Sequence, residues 1–259
     1  MNTKLFCTGT KLLSAAALAL MLSAAAPAFA ADTGRGSEWE YVADIYFWGA
    51  NMTIDTTGGQ EVHIPFYQIL NDLNFAFFTE LGARNDKWSV MADVIYIDLS
   101  QKNNRRDATL PDGTAVTIND KLDMTSWIIT PTVGYALHNG DDARVEVLGG
   151  LRYLSLDLGL AIDVNDNEVF NKSSSEGFWD GIVGMRANYN LSQTWYLPTY
   201  FDVGLGSSDF TWQASAGVGY HFSSFDAVLT YRYLDYEFDD LVATDLVVKG
   251  PQLGAVFRF

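Results

Sequence analysis

The sequence predicts an all-β fold: a transmembrane, antiparallel, up-and-down β-barrel of about ten strands, with eight or twelve also compatible. Three observations carry that prediction. Apolar and polar residues alternate with a period of two along most of the chain, where a helix would space its apolar residues near 3.6. Short turns alternate with longer polar connectors. Charged residues sit deep inside the alternating runs, on the face opposite the apolar one, while large aromatics gather near the ends of the runs.

In chain order, residues 1–30 read as a cleaved signal peptide. Lys4 and Lys11 precede or open an apolar stretch, "LLSAAALALMLSAAA" (12–26), which ends at Pro27 and Ala28-Phe29-Ala30. Cleavage after Ala30 removes both lysines and leaves 14 basic against 32 acidic residues, a balance of −18. It also removes the single cysteine, Cys7, so the mature chain is expected to have no disulfide, thiol nucleophile or thiolate metal site. This acidity argues against nucleic acid, which needs clustered Lys and Arg. Aromatics at 14% and apolar residues at 48% argue against disorder. No apolar run after Ala30 approaches the roughly 20 residues of a spanning helix, so a membrane crossing would have to use strands.

After a short lead (31–37), the barrel is expected over 38–259, with runs near 38–52, 73–85, 87–100, 121–138, 143–163, 176–190, 194–206, 209–222, 225–237 and 243–259. The alternation is plain in Trp212, Ala214, Ala216, Val218 and Tyr220 against Gln213, Ser215, Gly217 and Gly219. It recurs in Leu229, Tyr231 and Tyr233 against Val228, Thr230 and Arg232. Runs 87–100 and 143–163 change phase midway, Tyr153 and Leu154 both being large, which predicts a bulge in each. Short connectors at 83–88, 138–142, 190–193 and 223–225 alternate with longer ones at 53–72, 101–120, 164–175 and 238–243, "GSSD" (206–209) being the short member of the second set. Short turns on one side and loops on the other are the asymmetry of outer-membrane barrels, and an even strand count puts both termini in the periplasm.

A soluble sandwich would alternate too. It would not need aromatics such as Trp88, Trp127, Trp179, Trp195, Tyr135 and Tyr220 at its strand ends, as a bilayer interface does. In a barrel the apolar face meets lipid and the charged face lines the lumen. The lumen-facing set is Glu40, Asp44, Glu80, Asp93, Glu146, Asp180 and Asp202 facing Arg84, Arg144, Arg152, Arg186, Arg232 and Arg258. Ten strands leave little room, and isolated charges are costly there, so these residues are expected to pair and hold the barrel shut. The competing expectation is a narrow conduit for ions or small polar solutes. Segment 58–73, "GGQEVHIPFYQILNDL", is too apolar for a solvated loop; from Pro65 it suits a short amphipathic helix, either a lid over the outer mouth or a rim element beside lipid.

The last strand, "GPQLGAVFRF" (250–259), has Phe257 and terminal Phe259 on its apolar face and resembles the C-terminal signal read by the outer-membrane assembly machinery. Residues 194–238 and "WSVMADVIYIDLS" (88–100) resemble a family of small proteobacterial outer-membrane β-barrel proteins, largely uncharacterised. The resemblance covers most of the mature chain. It implies fold and location and, since the family has no agreed activity, supplies no catalytic residue.

Catalysis is not expected. "HFS" (221–223) matches the His-x-Ser of outer-membrane lipid A deacylases, but His221 falls at the periplasmic end, away from the outer leaflet; a histidine bonding turn carbonyls is the plainer account. Omptin-like proteases place Asp and His at the outer rim, where His63, Asp239 and Asp240 lie, though in separate loops. His138 is at a short turn. The loop acids Asp107, Asp112, Asp166, Glu168, Asp235, Glu237, Asp239, Asp240 and Asp245 could share divalent cations with lipopolysaccharide, but none follows a calcium-loop pattern, and a solvated acidic surface is the default. "NRR" (104–106) is a single basic point for a phosphate contact. The expectation is therefore a monomeric outer-membrane barrel without metal or cofactor. Its expected partners are the lipid bilayer, lipopolysaccharide and, through the last strand, the assembly machinery. Its role is non-catalytic envelope structure or surface interaction, with a small channel as the alternative and an outer-leaflet hydrolase after that.

Overall fold

The computed structural model describes residues 38–259 apart from 57–58, 60, 110–114, 165–166 and 240–242, and leaves the side chains of 56, 101–122, 160–170, 172 and 243 undescribed. The expected signal (1–30) and lead (31–37) lie outside the described residues, as do the side chains of Asp107, Asp112, Asp166, Glu168 and Asp240.

Ten antiparallel strands close on themselves. In chain order they are β1 (Glu40–Trp48), β4 (Leu73–Arg84), β5 (Trp88–Thr109), β6 (Ala115–Asn139), β7 (Ala143–Val164), β8 (Asn167–Asn190), β9 (Trp195–Gly206), β10 (Phe210–His221), β11 (Asp226–Glu237) and β12 (Ala243–Arg258). Each pairs with the next, and β12 returns to β1 with Val42 opposite Arg258 and Trp48 opposite Gln252. Two extra strands, β2 (Asn51–Thr56) and β3 (Glu61–Ile64), form a hairpin on the upper part of β12, followed by the helix α1 (Phe66–Asp72). β2 continues β1 in the same register along β12; the path breaks only at Gly49 and Ala50, opposite Pro251 and Gly250, where Gly49 N bonds Pro251 O at 2.8 Å.

Side chains divide by parity as the alternation requires. On β5, Ser89, Met91, Asp93 and Ile95 point inward; on β10 and β11, Ala216, Leu229 and Tyr231 are exposed on the outer wall. Aromatic pairs cross between neighbouring strands in two rows. Near the short turns and chain termini they are Trp88 with Tyr135 (5.0 Å between centroids) and Trp195 with Tyr220 (4.8 Å). Toward the far end they are Tyr96 with Trp127 (4.4 Å), Tyr153 with Trp179 (4.5 Å) and Trp212 with Tyr233 (4.7 Å). On β5, β6 and β10 the rows lie eight residues apart. That is roughly 26 Å along a strand, or about 20 Å of height at a barrel tilt near 40°.

The two predicted midway bulges are absent. β6 and β7 keep one register through Ile128–Leu154 and Ile129–Tyr153, and β5 keeps one with β6 from Trp88 to Gln101. The register slips instead at Ala136/His138, at Gln101/Asn104, at Ile162/Asp163 and between Leu73 and Phe75. Tyr153 joins the outer aromatic row while Leu154 is buried inside; both faces are apolar there, and two apolar faces look like a change of phase.

Connectors expected at 101–120 and 164–175 are largely strand: β5 to β8 run past the far aromatic row as a projecting four-stranded sheet, since β5 beyond Leu99 pairs only with β6 and β8 before Asp180 only with β7. In residues 101–109 of β5 and 167–176 of β8 the polarity does not alternate, so these parts read as connectors, whereas β7 alternates through 154–164. The remaining far-end connections, at 206–209 and 238–242, are short.

Replacing Leu154 with alanine should destabilise the folded barrel by about 2–5 kcal/mol, the cost of an interior cavity. Denaturant titration of the folded protein checks this; a loss under about 1 kcal/mol would place Leu154 on the outer wall.

Candidate functional site

The barrel interior has two halves. Toward the far end it is filled by an apolar cluster that includes Tyr46, Trp48, Met52, Phe78, Ile95, Ile128, Leu154, Phe178, Leu234, Tyr236, Phe238 and Val248. Toward the termini lies a cavity of about 190 Å³, lined by charged and hydroxyl side chains from all ten barrel strands.

Ion pairs step down the cavity in tiers. At the termini end, Arg84 Nε lies 2.6 Å from Glu40 Oε2 across β1 and β4, and Arg144 Nη2 lies 2.6 Å from Glu146 Oε1, while Glu146 Oε2 accepts from Ser89 Oγ. Arg258 Nη1 lies 2.5 Å from Asp226 Oδ2, whose other oxygen is 2.8 Å from His221 Nδ1; Tyr196 donates to Asp226 as well and stacks on His221. In the middle, Arg186 Nη2 meets Glu80 at 2.6 Å. Arg232 Nη2 meets Asp93 Oδ2 at 2.7 Å and its Nη1 donates to the Tyr46 hydroxyl, which donates to Asp93 Oδ1. The Arg232 guanidinium also lies over the Trp48 ring at 4.9 Å. Deepest, Arg152 Nη2 meets Asp202 Oδ2 at 2.5 Å and its Nη1 donates to Thr211. Gln213 Oε1 accepts from both Arg232 (2.7 Å) and Arg152 (3.4 Å).

Exposure falls from the Glu40–Arg84 pair to the Asp202–Arg152 pair, although Arg144 and Glu146 at the termini end are already only 12% and 4% exposed. The side chains of Glu40 and Arg84 are 40% and 28% exposed, those of Glu80 and Arg186 27% and 19%, Asp93 and Arg232 16% and 4%, and Asp202 and Arg152 0%. The fully buried Asp202–Arg152 pair lies next to the apolar half of the interior.

Two residues expected to pair with arginine do not. Asp180 instead accepts from Ser208 N at 2.9 Å and Ser208 Oγ at 2.7 Å, and so holds the tight 206–209 turn. Asp44 has no salt bridge, and its Oδ1 is buried without a hydrogen-bond partner among the described residues. Asp226 was missed, although extending the inward series Arg232, Thr230, Val228 by one step reaches it. Tyr46, Tyr196 and Gln213 were also missed; their polar groups were hidden among residues read as apolar or neutral. On the outer wall, Phe257 faces Phe225 at 6.0 Å, and Phe259, exposed, exchanges backbone hydrogen bonds with Tyr41, both 3.0 Å long.

Segment 58–73 is neither a lid nor only a rim. Hydrogen-bonded pairing of β1 with β4 ends at Ile45–Thr79, and beyond it β4 pairs only with β5 while β2 pairs with β12 and β3. α1, begun at Pro65, joins the two lips of this opening and touches β2 and β5. Phe66 N bonds Asn51 Oδ1 (2.9 Å), its ring meets the exposed Phe47 edge-on, and Ile69 packs on the interior cluster. The short helix seals a side of the wall.

The histidines are dispersed. His63 Nδ1 pairs with Thr53 Oγ1 at 3.1 Å, while Asp239 N bonds Asp209, so no described contact joins His63 to Asp239. His221 bonds a carboxylate, not turn carbonyls. His138 faces Asp142 at 3.0 Å in an exposed turn, and this hydrogen bond holds the Asp142 carboxyl below the usual carboxylate range. Among the described residues no group of three or more His, Cys, Asp and Glu could hold a metal ion.

Arg152→Met should cost about 3–5 kcal/mol, because it leaves Asp202 charged and unpaired in a dry site, and adding Asp202→Leu should restore much of that loss. Urea unfolding of the single and double variants checks the coupling.

No protein-family model matches the chain, and no curated protein matches it. Among solved structures it is similar to the translocator domain of autotransporter NalP from Neisseria meningitidis (TM-score 0.46, 15% identity, 95% of this chain and 96% of that one). It is also similar to the outer membrane protease OmpT from Escherichia coli (0.48, 9%, 86% and 97%) and to the attachment invasion locus protein Ail of Yersinia pestis (0.36, 13%, 86% and 99%).

Proposed function

We propose that the chain is an integral outer-membrane barrel of the Gram-negative envelope, with a blind, charge-paired lumen and a non-catalytic role in envelope structure or surface interaction. The observation that carries this reading is the decline of exposure to zero at Arg152 and Asp202, beneath a filled apolar half. A conduit for ions needs a continuous wet path.

Membrane placement is supported by the two aromatic rows, about 20 Å apart, bounding an outer wall of exposed Leu, Val, Ile, Phe and Ala. In this setting the termini end faces the periplasm and the lumen opens to that side. The last strand, with Phe257 and Phe259 outward, suits the assembly machinery as partner, and lipid and lipopolysaccharide are the partners of the wall. The surface role is supported by the projecting β5–β8 sheet, which extends thirteen residues past Tyr96 on β5, roughly 40 Å.

Purified protein in planar bilayers should show no discrete openings, whereas serine at Leu154, Phe178 and Leu234 together should produce them by wetting the apolar half. Openings in the unaltered protein would favour the channel. Separately, Leu229→Arg on the outer wall should cost about 2–4 kcal/mol in vesicles, as expected of a lipid-facing position near the midplane; free solubility of the unaltered protein without detergent would exclude a membrane location.

A further inference from the structure

We infer that two copies of this chain associate by antiparallel pairing of their open β8 edges, on a two-fold axis at Ser174. The inference deepens the surface-interaction reading and rests on it, naming a second copy as what the projecting sheet meets.

The edge is open. β9 reaches only to Gly206, opposite Asp180, and from Lys172 to Trp179 the ladder of β8 is with β7 alone. Ser173 to Gly177 are exposed at every position, on both faces of the sheet. Natural proteins blunt such an edge with a bulge, a proline or charges. The opposite edge of the same sheet has two of these devices: β5 slips register at Gln101/Asn104 and carries Lys102, Arg105 and Arg106 within five residues. The β8 edge is not defended in this way. Its register with β7 is unbroken from Phe170 to Tyr189, and residues 170–178 hold no proline and one charge of each sign.

The order of those residues points to the partner. "FNKSSSEGF" (170–178) is self-complementary about Ser174: Lys172 and Glu176 each stand two residues from the centre, on opposite sides, with Ser173 and Ser175 between. Two such strands, laid antiparallel with Ser174 facing Ser174, put Lys172 of each copy at the register position opposite Glu176 of the other. The match occurs twice. Opposite charges facing each other across an antiparallel pair stabilise it, and like charges weaken it. A slip of one residue, or a parallel arrangement, loses both matches. The contact uses the same patch on both copies, so it closes as a dimer. Its two-fold axis is perpendicular to the sheet, which points the barrels in opposite directions and places the two copies in facing membranes.

Sedimentation of the folded full-length protein in detergent, from about 1 to 200 µM, reads the association, which is expected in the micromolar range for so short a ladder. Lys172→Glu alone and Glu176→Lys alone each set like charges opposite one another twice. Each should weaken the dimer at least about tenfold, and the two together should restore it. In a Cys7→Ser background, Ser174→Cys should join two copies by a disulfide on mild oxidation. Residues directly opposite in an antiparallel pair have Cα atoms about 4.5–5.5 Å apart, within disulfide reach. Asn104→Cys on the β5 edge should not cross-link. The cross-link needs no change of charge, so it decides the matter should a reversed variant fail to fold. A protein that stays monomeric throughout leaves the edge to a strand of another protein and overturns the pairing. So does a dimer unmoved by either reversal, or one that cross-links through Asn104 and not Ser174. Those results leave the surface-interaction reading standing, whereas openings in planar bilayers count against that reading and not against the dimer.

Discussion

Gln213 Oε1 accepts hydrogen bonds from two arginines at once, Arg232 at 2.7 Å and Arg152 at 3.4 Å, and this shared acceptor sits where the wet half of the lumen gives way to the dry half. The chain of contacts runs Asp202–Arg152–Gln213–Arg232–Asp93–Tyr46, so β1, β5, β7, β9, β10 and β11 are tied across the interior. Buried guanidiniums survive only when their charge and most of their donors are matched, because desolvation otherwise outweighs the attraction. Matching both on opposite walls fixes the distance across the barrel. Above that level the interior is filled with Leu154, Ile95, Phe178 and their neighbours.

The wall obeys a different constraint. Every strand must have a hydrogen-bonded neighbour if it is to sit in hydrocarbon, and the ten strands satisfy this except where β1 and β4 part beyond Ile45–Thr79. The breach is filled by β3 and α1, whose apolar side chains divide between the two surfaces: Ile64 and Ile69 inward, Phe66 against the exposed ring of Phe47. Apolar residues in a connector are explained by its being part of the wall. A seven-residue helix without a side-chain cap holds its shape only because both lips of the opening grip it.

Strand identity and facing were readable wherever one face was apolar and the other polar or charged, as in Trp212–Tyr220 and Leu229–Tyr233. The reading lost its footing where that contrast vanished. At Ile95–Ile97 and Tyr153–Leu154 both faces are apolar, one on the outer wall and one toward the interior cluster, and the pattern imitated a bulge. At 101–109 and 167–176 the projecting strands carry mostly polar residues without alternation, and the pattern imitated loops. Parity identified which charges could face inward, but not their partners: Asp180 could be assigned a lumen position, while its use as a ligand for the Ser208 turn depends on a register that sequence does not specify. The omission of Asp226 was avoidable, since it continues the parity of Arg232.

Closure explains why the termini end carries so many interlocking groups. β1 and β12 are separated by nearly the whole chain, so their pairing has the largest loop entropy to overcome and gains nothing from local contacts. Contacts that reward it lie at both ends of the pairing, Tyr41 with Phe259 through two backbone hydrogen bonds and Trp48 Nε1 with Gly250 O at 3.2 Å, while Arg258 with Asp226 ties β12 to β11 at the termini end. Arg258 reaches Asp226 only when β12 lies in its final register on β11, because Asp226 stands opposite Val256, two residues away and on the same face. A one-residue slip would turn Arg258 toward the outer wall and Phe257 into the lumen. The ion pair therefore selects register as well as adding attraction, and it does so on the strand whose pairing with β1 closes the barrel.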